Sequence, residues 1–499
     1  MESDLVSPSD PRGTAFERAI LHFANGSRFA GIFGTADDNA IRLIVAMSKN
    51  GELQLEHAIV PSGSSHYPSM ASDIPAALWY EREIFDLFGL ASDAGAVLEP
   101  LILPLELDSQ RPRPGGGGLT PTVRLDLTPL TTRVRGEGVF TMSYGPVRSG
   151  VFESIEYLVE TPGEEIPSLR TRVFYKHRGV EKRFEGMSVR DGVMLAERCE
   201  GVASVAHAIA FSGAIEQIGE LAVPLQAGCV RVLHAELERI VNHLDSLTRH
   251  VEAAGQAVAY ARFSLHKERI QRVRGRLCGS RFGRGVVVPG GVSGPPALRA
   301  QELHAQLDPL QGAIEADTRL LMNTPSFIDR LRGTGVLSAE TVREYSALGP
   351  VARGSGIVED VRQSRPYAAY GHLGHGLLEV EGEGDALARQ IVRAQEIARS
   401  FDLIRRAIEV LDELGEPSEG RWALRLPQLS GEAIGWAEAP QGEILTWVEV
   451  REDILVRVKP RSASFHNLAM FSRAFPKDIL TDFAFIEASF GVSIAGVAN

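Results

Sequence analysis

Two long segments of the chain carry apolar residues at spacings of three and four, the period of an amphipathic helix. The first stripe consists of Val230, Leu233, Leu237, Ile240, Leu244 and Leu247, and the second of Ile397, Phe401, Ile404, Ile408 and Leu411. Glu236, Glu238, Arg239 and Asp245 fall outside the first stripe, and Gly415 ends the second. Two long helices that each bury a stripe predict an α-helical bundle.

Shorter runs of β-branched and alternating residues predict strands. Residues 41–47 and 53–59 flank Asn50-Gly51, the strongest short signal for a β-hairpin. Residues 432–459 return to this pattern around a turn at Gly442, which predicts a small antiparallel sheet. The expected fold class is therefore α+β, with a small N-terminal α/β domain and then a mainly α-helical bundle that carries a small antiparallel sheet.

Composition narrows the function. The chain has 499 residues, with 52 basic and 64 acidic side chains and a net charge of −12. This acidic balance argues against nucleic acid as a partner, because phosphate binding needs clustered positive charge. Three cysteines without framework spacing indicate a reducing compartment. The polar N-terminus predicts no secretory signal, and the weakly polar run 202–215 is too short to cross a bilayer.

A change of composition divides the chain. Residues 110–122 read QRPRPGGGGLTPT, and Pro-rich and Gly-rich sequence of this kind is typical of an extended join between modules. We therefore expect three parts, at residues 1–105, 106–140 and 141–499. The first is the α/β domain, the second the linker, and the third the helical domain.

Several motifs in order carry a family resemblance. Residues 177–182 read H-R-G-V-E-K, residues 279–291 are glycine-rich, and residues 438–443 read E-A-P-Q-G-E. Together they resemble the large subunit of membrane-bound nickel–iron hydrogenases of the formate hydrogenlyase type, and the related subunit of respiratory complex I. Residues 81–89 read E-R-E-I-F-D-L-F-G and resemble the 30-kDa subunit of complex I. The order matches the fused arrangement of formate hydrogenlyase-type proteins, and the resemblance implies that this short charged helix docks one module on the other.

The resemblance also shows which residues have been replaced. The two C-x-x-C pairs that hold nickel and iron in these hydrogenases correspond here to Glu200 and Ala203, and to Ser493 and Gly496. Cys199 lies one residue from the first position. Because a nickel–iron centre needs soft thiolate ligands, we expect no metal and no cofactor to be bound by this chain itself.

The positions that bind quinone in the complex I relative are replaced as well. They correspond to Arg148 and Phe152 for the two histidines, Val205 for the tyrosine, and the neighbourhood of Ala253 for the supporting aspartate. A quinone remains a possible ligand only in a modified cavity.

What remains around the replaced ligands is charged. The resemblance implies that Glu200, His207 and Arg198 line the old metal cavity and are the candidate catalytic residues. Arg353, Asp360 and Arg362, in the loop facing it, are the candidate cofactor-binding residues. One interpretation is a satisfied salt-bridge network in which Glu200 pairs with Arg353, Arg362 or Arg198. The other is a repurposed redox or proton site.

The resemblance implies a subunit of a membrane-associated oxidoreductase, without a nickel–iron site, that transfers electrons from an iron–sulfur partner towards quinone or another acceptor. The expected partners are an iron–sulfur small subunit, which holds the cluster, and integral membrane subunits of the proton-pump type. The expected location is peripheral, at the cytoplasmic face of the inner membrane. A non-catalytic scaffold subunit is the first alternative, and an active hydrogenase the second.

Overall fold

A computed structural model describes residues 11–37, 40–61, 66–93, 100–103, 136–148, 153–374 and 382–499, and the single residues 64, 134 and 376. The predicted linker core at 110–122 lies outside the described residues, and so does Phe152. In the part that is described, no helix combines the length and the apolar composition that crossing a bilayer requires.

The N-terminal module consists of a three-stranded antiparallel sheet, in the order β1-β2-β3, with helices packed against it. Its elements are α1 (Pro11–Ala24), β1 (Arg28–Asp37), β2 (Ala40–Lys49), β3 (Glu52–Pro61), β4 (His66–Tyr67), α2 (Ala77–Phe88) and β5 (Ala91–Ser92). Asn50 and Gly51 connect β2 to β3 with φ angles of 51° and 85°, as a two-residue turn with left-handed backbone requires. The predicted hairpin is confirmed.

Among the described residues after the N-terminal module, strands form two further three-stranded antiparallel sheets and one short pair. Their bounds are β6 (Phe140–Tyr144), β7 (Glu156–Thr161), β8 (Ser168–Arg172), β9 (Val287–Val288), β10 (Gly291–Val292), β11 (Gly431–Ala439), β12 (Gly442–Arg451) and β13 (Ile454–Arg461). The sheet β11-β12-β13 is the one predicted from residues 432–459, with Gly442 at the β11–β12 turn. It packs on α5.

Helices make up most of the rest. They are α3 (Val180–Phe184), α4 (Val189–Ala196), α5 (Ser204–Ile218), α6 (Leu225–Ala253), α7 (Ala257–Cys278), α8 (Ala300–Met322), α9 (Pro325–Leu331), α10 (Ala339–Glu344), α11 (Gly349–Gly354), α12 (Val361–Ser364), α13 (Tyr370–Leu373), α14 (Ala386–Leu414), α15 (Ala463–Leu468) and α16 (Phe483–Phe490). The two predicted stripes lie on α6 and α14, which pack against each other. The predicted α+β fold with a helical bundle is confirmed.

Helix α6 differs from a simple amphipathic helix in one respect. Glu236, Glu238 and Arg239, which lie outside its apolar stripe, are 0%, 4% and 0% exposed. Helix α14, the end of β11 and the first turn of α5 cover this polar side. The centre of the protein therefore contains paired charges as well as apolar side chains.

The short helix α2 contacts the C-terminal module through Glu83, whereas Glu81 and Asp86 bind within their own module. Glu81 accepts hydrogen bonds from Ser69 and from the Met70 amide, and Asp86 accepts them from the amides of residues 101–103. Both carboxylates thus hold loops of their own module. Glu83 instead accepts a 2.6 Å hydrogen bond from Lys459 on β13.

The hairpin between β2 and β3 also contacts the C-terminal module. A Cβ atom added to Gly51 would lie 1.8 Å from the carbonyl oxygen of Ser364, at the end of α12. Gly26 has the same backbone geometry, with a φ of 84°, but a Cβ there would meet nothing within 4 Å. The two glycines therefore separate backbone strain from the clash.

We predict that Gly26→Ala costs roughly 1–2 kcal/mol of unfolding free energy, the usual cost of a left-handed alanine. Gly51→Ala should cost at least roughly 3 kcal/mol, because the module contact must open as well. Urea unfolding of the full chain measures both. Equal losses in the two variants would show that the hairpin does not press on α12.

Candidate functional site

The positions that correspond to the hydrogenase ligands come together in the fold. Glu200 lies in the turn before α5, and Ser493 follows α16 near the C-terminus. The Ser464 hydroxyl joins them: it donates to Glu200 Oε1 at 2.7 Å and accepts from the Ser493 amide at 3.0 Å. Gly496 packs so closely that a Cβ atom there would lie 2.7 Å from Glu200 Cδ.

Glu200 is only 1% exposed, and two serines and a histidine surround its carboxylate. Ser462 donates to its Oε2 at 2.9 Å, and His207 Nε2, itself in a buried ring on α5, lies 3.2 Å from the same oxygen. In the described part of the chain these two residues and Ser464 are the hydrogen-bond partners of the carboxylate. The expected arginine partner is wrong, because hydroxyls and an imidazole satisfy the buried charge instead.

Arg198, the third candidate from this segment, lies outside the cluster. Its side chain is 52% exposed and donates to the carbonyl of Met194, one turn back. Cys199 is buried, and burial raises the pKa of its thiol to about 12. Neither residue can serve Glu200, so only Glu200 and His207 of this group share a site.

Arg353, Asp360 and Arg362 form a separate buried network with α6 and α14. Arg362 donates to Glu236 at 3.0 Å and to Asp360 at 2.5 Å. Arg353 pairs with Glu396 at 2.8 Å. These arginines are therefore satisfied by carboxylates of the bundle, which is why they are not available to Glu200.

The electrostatics of this network differ from group to group. Burial alone would raise the pKa of Glu236, but Arg239 and Arg362 hold it down to about 2. Burial raises the pKa of Glu438 to about 7, with the neighbouring Asp360 adding to the effect. Burial thus favours the protonated form of Glu438, whereas neighbouring arginines favour the ionised forms of Glu236 and Glu396.

A cavity of about 350 Å³ lies beside the replaced ligands. Its wall includes Arg148, Glu153, Glu252, Ala253 and Ser493. Arg148 and Ala253 are the positions that correspond to quinone-binding residues in the complex I relative. The volume is within the range of small-molecule sites.

Polar side chains of this cavity are fixed by their neighbours. Arg148 donates two hydrogen bonds to Glu487, at 2.7 and 3.0 Å, and its guanidinium lies 4.9 Å from the ring of Tyr144. Glu153 accepts from the Ser493 hydroxyl at 3.0 Å and from the Ala495 amide at 2.6 Å. Ser493 therefore separates the cavity from the sealed Glu200 cluster and contacts both.

Two ranges of the chain match known family models. Residues 254–427 match the model of the respiratory-chain NADH dehydrogenase 49 Kd subunit, and residues 22–112 match that of the 30 Kd subunit. An NADH-quinone oxidoreductase component of Streptomyces coelicolor is 30% identical over 73% of this chain and 97% of the relative. The chain belongs to the family of the 49 Kd subunit of respiratory-chain NADH dehydrogenase.

Hydrogenase subunits are relatives in the same family. Membrane-bound hydrogenase subunit alpha of Pyrococcus furiosus is 31% identical over 69% of this chain and 84% of the relative. Formate hydrogenlyase subunit 5 of Escherichia coli is 26% identical over 90% of this chain and 80% of the relative. The expectation of a fused hydrogenase-like and complex I-like chain is confirmed.

The residues of the 49 Kd-type site do not fit a nickel–iron centre. The four ligand positions supply a carboxylate, a methyl group, a hydroxyl and no side chain, where such a centre takes thiolates. The contact between Gly496 and Glu200 also fills the space with the carboxylate.

Sequence reasoning missed Ser462, Ser464 and Glu153, which complete the site. They are separated from Glu200 by 262, 264 and 47 positions, and no short motif links them. One signal was present in the sequence. Position 496 has no side chain and position 200 has a large one, so the two residues can pack against each other. A small residue opposite an enlarged one indicates contact, but only once the pairing of positions is known.

We predict that Gly496→Ala destabilises the chain by about 1–3 kcal/mol, because the added methyl group overlaps Glu200. Glu200→Ala should cost a similar amount, because His207, Ser462 and Ser464 lose their acceptor. The double variant should cost less than the sum, since removing the carboxylate makes room for the methyl group. Thermal unfolding measures this cycle, with Gly213→Ala, an uncrowded glycine on α5, as the control. Strict additivity would contradict the contact.

A second prediction concerns metal content. The complex purified with this chain should contain iron in its iron–sulfur partner but no stoichiometric nickel, because the site offers no thiolate. Elemental analysis by mass spectrometry measures both metals in one sample. One nickel per chain, accompanied by hydrogen uptake, would contradict the replacement.

Proposed function

We propose that this chain is a subunit of a membrane-associated oxidoreductase complex in which electrons from an iron–sulfur partner reach an acceptor without a nickel–iron site. The acceptor is a quinone or a molecule of similar size, bound in the 350 Å³ cavity beside Ser493. The persistence of this cavity next to the filled ligand site is the observation that carries the proposal. Small-molecule sites are concave cavities of this size, whereas a purely structural subunit requires no such cavity.

The cavity offers chemistry suited to a polar head group on a larger body. Reduction of a quinone consumes two electrons and two protons, so its site needs groups that orient oxygen atoms and supply protons. Arg148, held by Glu487, presents a fixed cation, and Glu153 presents a carboxylate next to Ser493. Arg148, which stays protonated, would position the acceptor, and Glu153 would exchange protons with it.

Glu200 and His207 have a supporting role in this proposal. They are sealed behind Ser493, and Ser464 bonds both Glu200 and the Ser493 backbone. The cluster fixes the C-terminal segment that forms one wall of the cavity. Arg353, Asp360 and Arg362 fix the bundle in the same way, through Glu236 and Glu396.

The partners follow from the relatives. The relatives include a component of an NADH-quinone oxidoreductase and a subunit of a membrane-bound hydrogenase. These assemblies are named for a quinone and for a membrane. We infer an iron–sulfur small subunit as the electron donor, and proton-pump-like integral membrane subunits that hold the chain at the cytoplasmic face of the inner membrane.

A scaffold role is the alternative. The satisfied hydrogen bonds of Glu200 favour it, because a sealed and fully bonded carboxylate does no chemistry of its own. Hydrogenase activity is disfavoured by the donor set. The two surviving alternatives differ in one testable respect, which is whether blocking the cavity stops electron transfer.

We predict that Ala484→Phe, which places a ring in the cavity wall from an exposed position on α16, lowers kcat/KM for a soluble quinone analogue at least about tenfold. The assay uses the assembled complex with reduced viologen as the electron source. Ala316→Phe, at an exposed position on α8 away from the cavity, is the control.

Subunit composition and iron content of the two complexes should be identical. If the complex is intact and kcat/KM is unchanged in Ala484→Phe, the cavity is not the acceptor site, and the scaffold role is the remaining alternative.

A further inference from the structure

A second cavity, of about 230 Å³, lies between α6 and α7. Its polar wall is formed by Glu238, Asn242, Asp245, Lys267, Gln271 and Arg274. It shares Asn242 and Asp245 with the larger cavity, so the two are neighbours along α6. Nothing in the proposed acceptor site uses its basic residues.

Arg274 is the unusual residue of this second cavity. It is 2% exposed, and its Nε and Nη2 atoms have no hydrogen-bond acceptor among the described residues. The Glu238 carboxylate is 3.7 Å from Nη2, which is beyond hydrogen-bond range. Buried guanidinium donors are normally satisfied, because leaving them unpaired is costly.

The surroundings make room for this guanidinium without neutralising it. A Cβ atom at Gly283 would lie 2.6 Å from Arg274 Nη2, so only glycine at this position allows the side chain to sit there. Asp245 on the same wall is already paired with Arg249 at 2.9 Å and with Lys267 at 2.8 Å. Asp245 is therefore already neutralised by two cations and is not the counter-ion of Arg274.

Glu238 is also committed elsewhere. Its two oxygens accept hydrogen bonds from the Val205 and Ala206 amides, at 2.9 and 3.1 Å. Burial raises the pKa of Glu238 to about 7, with Arg274 opposing the shift and Glu200 adding to it. Near neutral pH, Glu238 is thus only a partial counter-ion for Arg274.

We propose that the cavity between α6 and α7 is a carboxylate-binding site anchored by Arg274. The planar fork of a guanidinium matches a carboxylate in two parallel hydrogen bonds. Asn242 and Gln271 lie on the same wall, where their amide groups can donate hydrogen bonds to the carboxylate oxygens. The cavity holds a group of a few heavy atoms, which suits a small free carboxylate or an acidic side chain inserted by a partner subunit.

The site is tested with acetate as the probe. Sodium acetate should raise the melting temperature of the purified full-length chain above that in sodium chloride of equal ionic strength. Arg274→Gln should abolish the acetate-specific rise. Arg272→Gln, an exposed arginine on the same helix that pairs with Glu268, should leave it unchanged.

Loss of acetate binding in Arg274→Gln could also result from misfolding, so a second variant that should bind acetate more tightly is the check. Around Glu238 the charged groups are Arg274 and Glu200, with Asp245 and Lys267 further along the wall. Above neutral pH the ionised Glu238 competes with acetate for Arg274. Glu238→Gln should therefore bind acetate more tightly at pH 8, on the order of tenfold, by calorimetric titration.

The assembled complex distinguishes the two sources of the carboxylate. If the ligand is a free molecule, acetate binds to the complex as it does to the chain. If it is a partner's acidic side chain, acetate binds only to the isolated chain, and a structure of the complex shows that side chain on Arg274. An isolated chain that responds to acetate no differently than to chloride would overturn the proposal.

Discussion

Charge pairing inside a solvent-excluded bundle is the constraint on which this structure depends. Arg239 on α6 pairs with Glu396 on α14 and with Glu236 on its own helix. From neighbouring segments, Arg353 on α11 pairs with Glu396, and Arg362 on α12 pairs with Glu236. Removing one partner of such a pair leaves an uncompensated buried charge, which typically costs about 3–5 kcal/mol. The network therefore fixes α6, the loop before α12 and the β11–β12 turn relative to one another.

The replaced metal site follows the same constraint in a different way. The bundle's arginines are bonded to Glu236, Glu396 and Asp360, and none of the hydrogen bonds that Glu200 makes with described residues comes from them. Two serine hydroxyls and a histidine satisfy it instead. The carboxylate with its donors occupies the space beside Gly496, where a Cβ atom would lie 2.7 Å from Glu200 Cδ.

Function then depends on what lies next to this filled site. The Glu200 cluster is closed, whereas the cavity on the other side of Ser493 is open and has charged residues in its wall. In the proposed function, the acceptor therefore lies beside the Glu200 cluster and not within it. The open cavity beyond Ser493 is the place where we propose that the small molecule binds.

The sequence predicted the hairpin at Asn50-Gly51, the sheet around Gly442 and the two long helices, because these depend on local periodicity and turn chemistry. It could not show that Glu236 and Arg239 are buried, since a second layer of helix and sheet covers them. The arginine partner of Glu200 was wrongly expected for the same reason. Resemblance to a family motif does not show which of several carboxylates an arginine contacts. Ser462 and Ser464 belong to no motif that links them to Glu200.

The most direct test is a high-resolution structure of the assembled complex, reduced and incubated with a quinone analogue. The account predicts Glu200 bonded to His207, Ser462 and Ser464 with no metal density beside it, and the analogue in the cavity bounded by Arg148, Glu153 and Ser493. Metal density between Glu200 and Ser493, or an analogue bound elsewhere while this cavity holds only water, would contradict it.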